Sequence, residues 1–211
     1  MRYFKFPKWL KRFYPNAIWD FFPASTNATK ATIYLTFDDG PNPKSTKWIL
    51  DLLDSYNAKA SFFCVGENVK KNPDLYASLI ANGHVIGNHS FSHLNGAYTD
   101  TKKYIADIKK AEKFIDSKLF RPPYGKMKPK QYNKLKQMGF TTVFWSHISY
   151  DFDSKFEPEK RIETTLKRVK NGSIVVFHDS DKTFAQLKIE LPLIMDVWKQ
   201  KGFQFLAIPI R

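Results

Sequence analysis

The residues Thr32-Ile-Tyr-Leu-Thr-Phe37, followed by Asp38-Asp-Gly-Pro41, decide the fold. The first six are apolar or β-branched in a pattern typical of a buried strand, and the Asp-Asp-Gly-Pro turn ends that strand. A helical pattern follows, with apolar residues at Ile49, Leu52, Leu53 and Tyr56. A buried strand that passes through a tight turn into an amphipathic helix is the start of a βαβ unit.

The same alternation continues along the chain. Strand patterns cover 32–37, 60–65, 85–87, 119–120, 141–145, 173–177 and 204–208, and helical patterns cover 49–56, 72–83, 100–117, 130–138, 158–170 and 184–198. About seven strand and helix repeats predict an α/β protein with parallel strands and external helices. This pattern fits either an open doubly wound sheet or a somewhat shortened barrel.

Composition indicates a globular chain in which one domain is the default. The chain has 211 residues, of which 43% are hydrophobic, and this excludes a disordered protein. Residues 1–31 begin with a basic, aromatic and Pro-interrupted stretch, and we expect them to form an N-terminal strap that packs on the α/β domain of residues 32–211. Cys64 is the only cysteine, so the chain has no internal disulfide.

The formal net charge of +14 is compatible with three anionic partners, namely nucleic acid, a membrane surface or a polymer. Lysines spread over helix surfaces, where they keep a protein soluble, are the simpler interpretation, and we expect no nucleic-acid partner. Residues 1–22 combine basic and aromatic side chains, so they are also candidates for peripheral contact with an anionic surface.

Chemically capable side chains follow the predicted strands. They are Asp38 and Asp39 after the first strand, His89 and His93 after the third, Arg121 to Tyr124 after the fourth, Asp151 after the fifth, and His178 and Asp179 after the sixth. In parallel α/β folds, ligands and catalytic groups gather at the carboxyl ends of the strands. The sequence therefore predicts one functional site at that edge.

His89 and His93 are four residues apart, so both imidazoles can face one point on a helical turn or compact loop. Two histidines and one carboxylate form the ligand set of catalytic zinc and also of non-haem iron. Asp38 or Asp39 would supply the carboxylate, leaving the other as a base. The alternatives are a chance pair of surface histidines and an ordinary Asp-Gly turn. A metal ion and Arg121 would together offset the charge of two adjacent carboxylates.

Five segments in this order resemble the polysaccharide deacetylase family, carbohydrate esterase family 4. They are Thr36-Phe-Asp-Asp-Gly-Pro41, His89-Ser-Phe-Ser-His93, Arg121-Pro-Pro-Tyr124, Asp151-Phe152 and Val176-Phe-His178. The resemblance spans about residues 32–208. It implies a distorted, incomplete (β/α)7 barrel of the TIM type, with residues 32–211 as the catalytic domain.

The resemblance also implies a metal site and a proton-transfer pair. Asp39, His89 and His93 would bind a divalent ion, usually zinc, with cobalt, nickel, manganese or iron as alternatives. Asp38 would be the general base, held ionised by Arg121, and His178 the general acid.

Further positions take supporting roles. By the same resemblance the backbone N–H of Tyr124 would stabilise an oxyanion, in a turn stiffened by Pro123. We expect Asp151 to accept a hydrogen bond from His178, with a loop salt bridge as the alternative. Trp145 and Val176 would line a pocket for the acetyl methyl group, or are ordinary core residues.

The expected activity is hydrolysis of N-acetyl groups in an N-acetylglucosamine-containing glycan such as peptidoglycan or chitin fragments. Two alternatives remain, an O-acetyl esterase of the acetyl-xylan type and a catalytically silent binder of glycans or polyanions. The fourth motif departs from the family pattern, with Ile148 at its acidic position and Phe152 at its Trp position. These replacements bear on substrate identity and length more than on the reaction.

The sequence contains no apolar run typical of a signal peptide or a membrane span. This favours a cytoplasmic location, whereas a peptidoglycan substrate favours the cell exterior.

Overall fold

The computed structural model describes residues 6–22 and 30–209. Within them, eight strands and seven α-helices alternate, and a 3₁₀ helix at Lys8–Phe13 precedes them. The strands are β1 (Thr32–Asp38), β2 (Ser61–Cys64), β3 (Val85–Asn88), β4 (Leu119–Phe120), β5 (Thr141–Thr142), β6 (His147–Ile148), β7 (Ser173–His178) and β8 (Gln204–Leu206). The helices are α1 (Ser45–Ser55), α2 (Gly66–Lys71), α3 (Pro73–Ala81), α4 (Thr101–Ala111), α5 (Pro129–Gln137), α6 (Pro158–Arg168) and α7 (Phe184–Gln200).

The strands form one parallel sheet in the order β5-β4-β3-β2-β1-β7-β6. β8 pairs with the first half of β1, while β2 pairs with its second half. The sheet curls into a half-barrel with helices around it, which confirms the distorted, incomplete barrel rather than the open doubly wound alternative. Since all strands run in parallel, their carboxyl ends meet at one mouth.

An N-terminal segment, residues 6–22, crosses the side of the barrel where strands β5 and β6 do not pair. The Ile18 N–H donates to the Thr142 carbonyl at 2.9 Å, and the Phe144 N–H donates to the Ile18 carbonyl at 2.7 Å. The Phe21 N–H donates to the carbonyl of Gly172, just before β7, at 2.8 Å. Residues 6–22 therefore pack on the domain as a strap, while residues 1–5 and 23–29 of the expected strap lie outside the described residues.

Two apolar layers lie on the two sides of the sheet. The layer beneath the helices includes Leu35, Phe37, Phe62, Phe177 and Trp198. The layer inside the barrel is built by Phe63, Leu119, Val143, Trp145, Ile148, Ile174, Val176 and Ile208. Alternate residues of β7 enter different layers, as the two-residue period of a strand requires.

Some elements differ from the sequence expectations. The helix expected over 100–117 ends at Ala111, and its start is capped by Asp100, whose side chain accepts the N–H groups of Lys102 and Lys103. The strand expected over 141–145 is shorter in the structure, where β5 covers Thr141–Thr142 and Val143 forms an isolated bridge with Ile18 of the N-terminal segment.

Short elements were missed. The sequence pattern predicted neither β6, which has two residues, nor α2, which has six, because such lengths are too short to show a hydrophobic period. In the described part of the chain, no helix has both the length and the apolar character needed to cross a membrane.

Candidate active site

Asp38 and Asp39 lie at the barrel mouth, where β1 ends. Asp38 is paired in the sheet with Phe63 of β2 on one side and His178 of β7 on the other. Asp39 leaves the strand with a φ of 83°, in the left-handed region. This backbone turn separates the two side chains, although they are adjacent in sequence. The structure thus gives the two carboxylates different neighbours.

The predicted ligands Asp39, His89 and His93 lie together. Asp39 Oδ1 is 3.1 Å from His93 Nε2 and 3.7 Å from His89 Nε2. One ligand atom from each residue falls within 4.8 Å of the others. Asp39 Oδ1 is buried and has no hydrogen-bond partner. A buried carboxylate oxygen without a partner, next to two imidazole nitrogens, fits a divalent metal ion.

Burial keeps the His89 ring neutral, and a backbone hydrogen bond fixes its orientation. Its Nδ1 lies 2.7 Å from the Arg121 carbonyl oxygen, so Nδ1 carries the proton and Nε2 keeps its lone pair towards Asp39. Burial lowers the pKa of His89 to about 4, so the ring is neutral at physiological pH. Burial alone would raise the pKa of Asp39, but the neighbouring His93, His178 and His89 hold it well below its usual range.

Backbone strain is concentrated at this site. Six non-glycine residues in the described chain have positive φ, and five of them, namely Asp39, Ser90, His93, Tyr124 and Tyr150, belong to the loops at the mouth. Each such conformation costs about 1–3 kcal/mol, so the surrounding structure must hold it in place. Strain of this kind is typical of binding and catalytic sites.

Arg121 fixes Asp38. The Arg121 Nη1 donates to Asp38 Oδ1 at 2.7 Å and to Thr36 Oγ1 at 2.7 Å. The guanidinium is fully buried, and it lies 3.9 Å from the centre of the Phe63 ring. Because Arg remains charged in proteins, Asp38 is its compensating anion. The pair therefore holds the Asp38 carboxylate in place at the mouth.

His178 and Asp151 form a second charged pair at the mouth, in which Asp151 is buried and His178 is partly exposed. The Nδ1 of His178 donates to Asp151 Oδ1 at 2.7 Å, and the His178 backbone N–H donates to Asp151 Oδ2 at 2.7 Å. Burial lowers the pKa of His178, but the charge and hydrogen bond of Asp151 outweigh this and raise it to about 9. Asp39 and Asp38 act in the same direction. His178 is thus protonated at neutral pH.

Tyr124 lies above the histidines. Its ring is exposed and its centre is 4.7 Å from that of His93, in an edge-on arrangement. Tyr124 and Gly125 both have positive φ, 60° and 63°, in the 3₁₀ turn that begins at Pro123. A Cβ built on Gly125 would lie 2.5 Å from Trp145, so only glycine fits between this turn and the indole.

Trp145 and Val176 lie in the inner apolar layer. Both are buried, which fits the core alternative for them. Val176 lies two residues before His178 in β7, so the two side chains share a face of the strand. The Trp145 and Val176 side chains therefore form part of the apolar surface beneath the mouth.

The two departures in the fourth motif have different surroundings. Ile148 is buried in the inner apolar layer. Phe152 is half exposed, and its ring lies edge-on to His178 at a centroid distance of 4.9 Å. An aromatic ring therefore remains beside the expected acid, whereas the acidic position has become part of the core.

Sequence reasoning gave no role to two buried polar clusters that support the site. The Asp179 carboxylate accepts hydrogen bonds from Ser45 and Thr46 at the start of α1, and Gly40 packs directly against it. Burial raises the pKa of Asp179 to about 7, while the two hydroxyls act against this. The sequence signal that could have identified this cluster was the position of Asp179 directly after His178.

The second cluster is the ion pair of Arg161 and Glu190, in α6 and α7. The Arg161 Nη1 also donates to the carbonyls of Asp153 and Phe156, at 3.0 and 2.9 Å, and so holds the loop that follows Asp151. The sequence carried no signal for this pair, because the partners are 29 residues apart on different helices.

The fold and the site define a class of protein, a parallel α/β half-barrel with an Asp-His-His cluster between two charged side-chain pairs at its mouth. The chain belongs to the polysaccharide deacetylase family, whose model matches residues 25–143.

Relatives agree with this membership. The chain is 35% identical over 182 residues to a peptidoglycan-N-acetylglucosamine deacetylase of Bacillus cereus, covering 83% of this chain and 85% of the relative. It is 31% identical over 163 residues to a chitooligosaccharide deacetylase of Azorhizobium caulinodans, covering 74% and 77% of the two chains. The crystal structure of the Bc1960 peptidoglycan N-acetylglucosamine deacetylase, in complex with a naphthalenyl N-oxidanyl-benzamide, superimposes with a TM-score of 0.85 at 30% identity, covering 97% of this chain and 95% of that one.

Proposed function

We propose that this protein is a metal-dependent hydrolase that removes N-acetyl groups from an N-acetylglucosamine-containing glycan. One observation carries the proposal: the Asp39, His89 and His93 cluster lies beside an ionised carboxylate on one side and a protonated imidazole on the other. These are the two proton-transfer groups that amide hydrolysis needs. A silent binder would need neither of them.

Asp39, His89 and His93 would hold the ion, with zinc first and cobalt, nickel, manganese or iron as alternatives. A divalent ion in such a site polarises a carbonyl and lowers the pKa of water from 15.7 to about 7. Asp38 accepts the proton from the attacking water. Arg121 keeps Asp38 anionic and aims its second oxygen into the mouth, since Oδ1 is engaged by the guanidinium.

His178 completes the reaction by donating a proton to the leaving nitrogen. Asp151 holds the proton on Nδ1, so Nε2–H is the donor that faces the mouth. The Tyr124 backbone N–H, in its left-handed turn, would donate to the developing oxyanion. Phe152 packs against the side of the His178 ring and limits its rotation.

The protonated state of His178 favours an N-acetyl over an O-acetyl substrate. An amide nitrogen leaves only when it is protonated, whereas an alkoxide leaves more readily. An imidazole with a pKa of about 9 keeps its proton at neutral pH. The similarity to a peptidoglycan-N-acetylglucosamine deacetylase and a chitooligosaccharide deacetylase supports the same substrate class.

The test is acetate release from matched glycans. The protein is treated with a chelator, reconstituted with each of the five ions separately, and incubated with chitooligosaccharides, peptidoglycan and O-acetylated xylan. We expect acetate from the N-acetylated glycans with at least one ion, and little from the chelated protein. Acetate release that ignores the chelator contradicts the metal site, and faster release from the xylan contradicts the N-acetyl assignment.

A further inference from the structure

Two large apolar rings project from the N-terminal segment into solvent. Trp9 and Phe13 are 65% and 50% exposed, although the inward side of the same segment is packed on the domain through Tyr14 and Trp19. The two rings contact each other edge-on at a centroid distance of 6.2 Å. They form an apolar pair that nothing in the described residues covers.

Exposed basic side chains lie on the same segment as this pair and on the helix that packs against the segment. The α5 helix packs on the segment, because the Tyr132 hydroxyl accepts the Asn16 N–H at 3.0 Å and its ring packs on Tyr14. The exposed basic residues of this region are Lys11, Arg12, Lys126, Lys130, Lys134 and Lys136. Together with Trp9 and Phe13 they make up what we term the basic aromatic surface.

Acidic residues are scarce in the two stretches of sequence that carry this surface. The sequence from Ser117 to Tyr150 contains seven basic residues and no Asp or Glu. Asp20 is the only acid in residues 6–22, and it pairs with Lys11 at 3.0 Å. Lysines that merely keep a protein soluble are interspersed with acids elsewhere in the chain, as on α6, so this asymmetry is specific to one region.

We infer that the basic aromatic surface docks on an anionic lipid bilayer. Clustered Lys and Arg side chains are attracted to anionic headgroups, and Trp and Phe side chains insert at the boundary between headgroups and acyl chains. A soluble polyanion would account for the charges, but the exposed Trp9 and Phe13 pair fits a bilayer better because it provides apolar area for insertion. An anionic bilayer is therefore the partner that can bind both the basic side chains and the two apolar rings.

The surface adjoins the mouth of the barrel. Phe6, at the start of the described segment, packs on Trp145 at a centroid distance of 4.7 Å. A Cβ built on Gly125 would lie 2.7 Å from the Phe6 ring, so this ring touches the turn that carries Tyr124. Docking would thus hold the mouth close to the bilayer. This inference does not depend on the proposed reaction.

The test is co-flotation of the full chain with vesicles. One set contains equal parts of phosphatidylglycerol and phosphatidylcholine, and the other contains phosphatidylcholine alone. We expect binding to the anionic vesicles only. Each basic side chain near such a surface contributes about fivefold in affinity, so Arg12→Glu with Lys136→Glu should weaken binding by about 25-fold or more. Trp9→Ser with Phe13→Ser should weaken it by on the order of tenfold.

A matched control comes from α7, where Ile189 and Leu193 are 65% and 51% exposed. The Ile189→Ser, Leu193→Ser variant should bind as the parent does. Equal thermal melting of all variants shows that they fold. The inference is overturned if neutral vesicles bind equally well, if the α7 variant loses as much binding, or if the protein binds polyglutamate but not vesicles.

Discussion

The link between Asp151 and His178 gives the sharpest prediction about chemistry. In the Asp151→Asn variant the negative charge is lost, while a side chain of the same shape remains. Burial, which lowers the pKa of His178, is then opposed only by the more distant Asp39 and Asp38. We expect the pKa of His178 to fall from about 9 to below the ordinary histidine value of about 6.5.

The size of the expected rate loss follows from the titration curve of His178. His178 acts as an acid, so only its protonated form is active. At pH 8 a pKa of about 9 leaves about nine tenths of the molecules protonated, whereas a pKa of 6.5 leaves about 3%. The variant should therefore lose about 30-fold in rate at pH 8 from protonation alone. At pH 6 a pKa of 6.5 leaves about three quarters of the molecules protonated, so the difference from protonation should shrink to less than about twofold.

Two assays check this. An NMR titration of the chelator-treated protein measures the pKa of His178 directly, and acetate release from a chitooligosaccharide between pH 6 and 9 measures its effect. Asp181→Asn is the matched control, because Asp181 is three residues from His178 but exposed. A pKa near 9 in the Asp151→Asn variant would refute the reasoning, as would a rate loss that is the same at every pH.

Three further outcomes follow from the site. Asp38→Asn should keep the metal but lose about 10²- to 10⁴-fold in activity. It should also lower the free energy of unfolding by about 3 kcal/mol, because Arg121 is left buried without its anion. Near-normal turnover and melting would contradict this. The His89→Ala variant should no longer retain one metal ion per chain on dialysis. His84 is another buried histidine, and the His84→Ala variant should retain the ion. Equal metal content in the two variants would rule out His89 as a ligand. Gly125→Ala should destabilise the protein by about 2 kcal/mol and reduce turnover. The φ of residue 125 is 63°, and a Cβ there would lie 2.5 Å from the Trp145 indole. Unchanged melting would show that the turn relaxes freely.

Sequence alone predicted the parallel strands and the edge at which the reactive residues meet. This was possible because Asp39, His89 and His178 each follow a strand directly, and the fold itself brings the strand ends together. The distance in sequence between such residues is irrelevant once the topology is known. Which of Asp38 and Asp39 faces the histidines was open from spacing, and in the structure it depends on the positive φ of Asp39.

Other features depend on contacts that no local pattern shows. The ion pair of Arg161 and Glu190 joins two helices, and the Phe6 ring contacts a turn more than a hundred residues away. The bridge between Val143, just after β5, and Ile18 of the N-terminal segment likewise joins positions far apart in the sequence. For each of these contacts the sequence offers several partners of similar chemistry, and three-dimensional packing determines which one is used.

Anomalous X-ray diffraction from crystals soaked with zinc would show whether Asp39, His89 and His93 bind a metal ion at the barrel mouth. We expect one strong peak within coordination distance of Asp39 Oδ1, His89 Nε2 and His93 Nε2. A zinc ion bound elsewhere, or no peak at the barrel mouth at an ion concentration that restores acetate release, would contradict it.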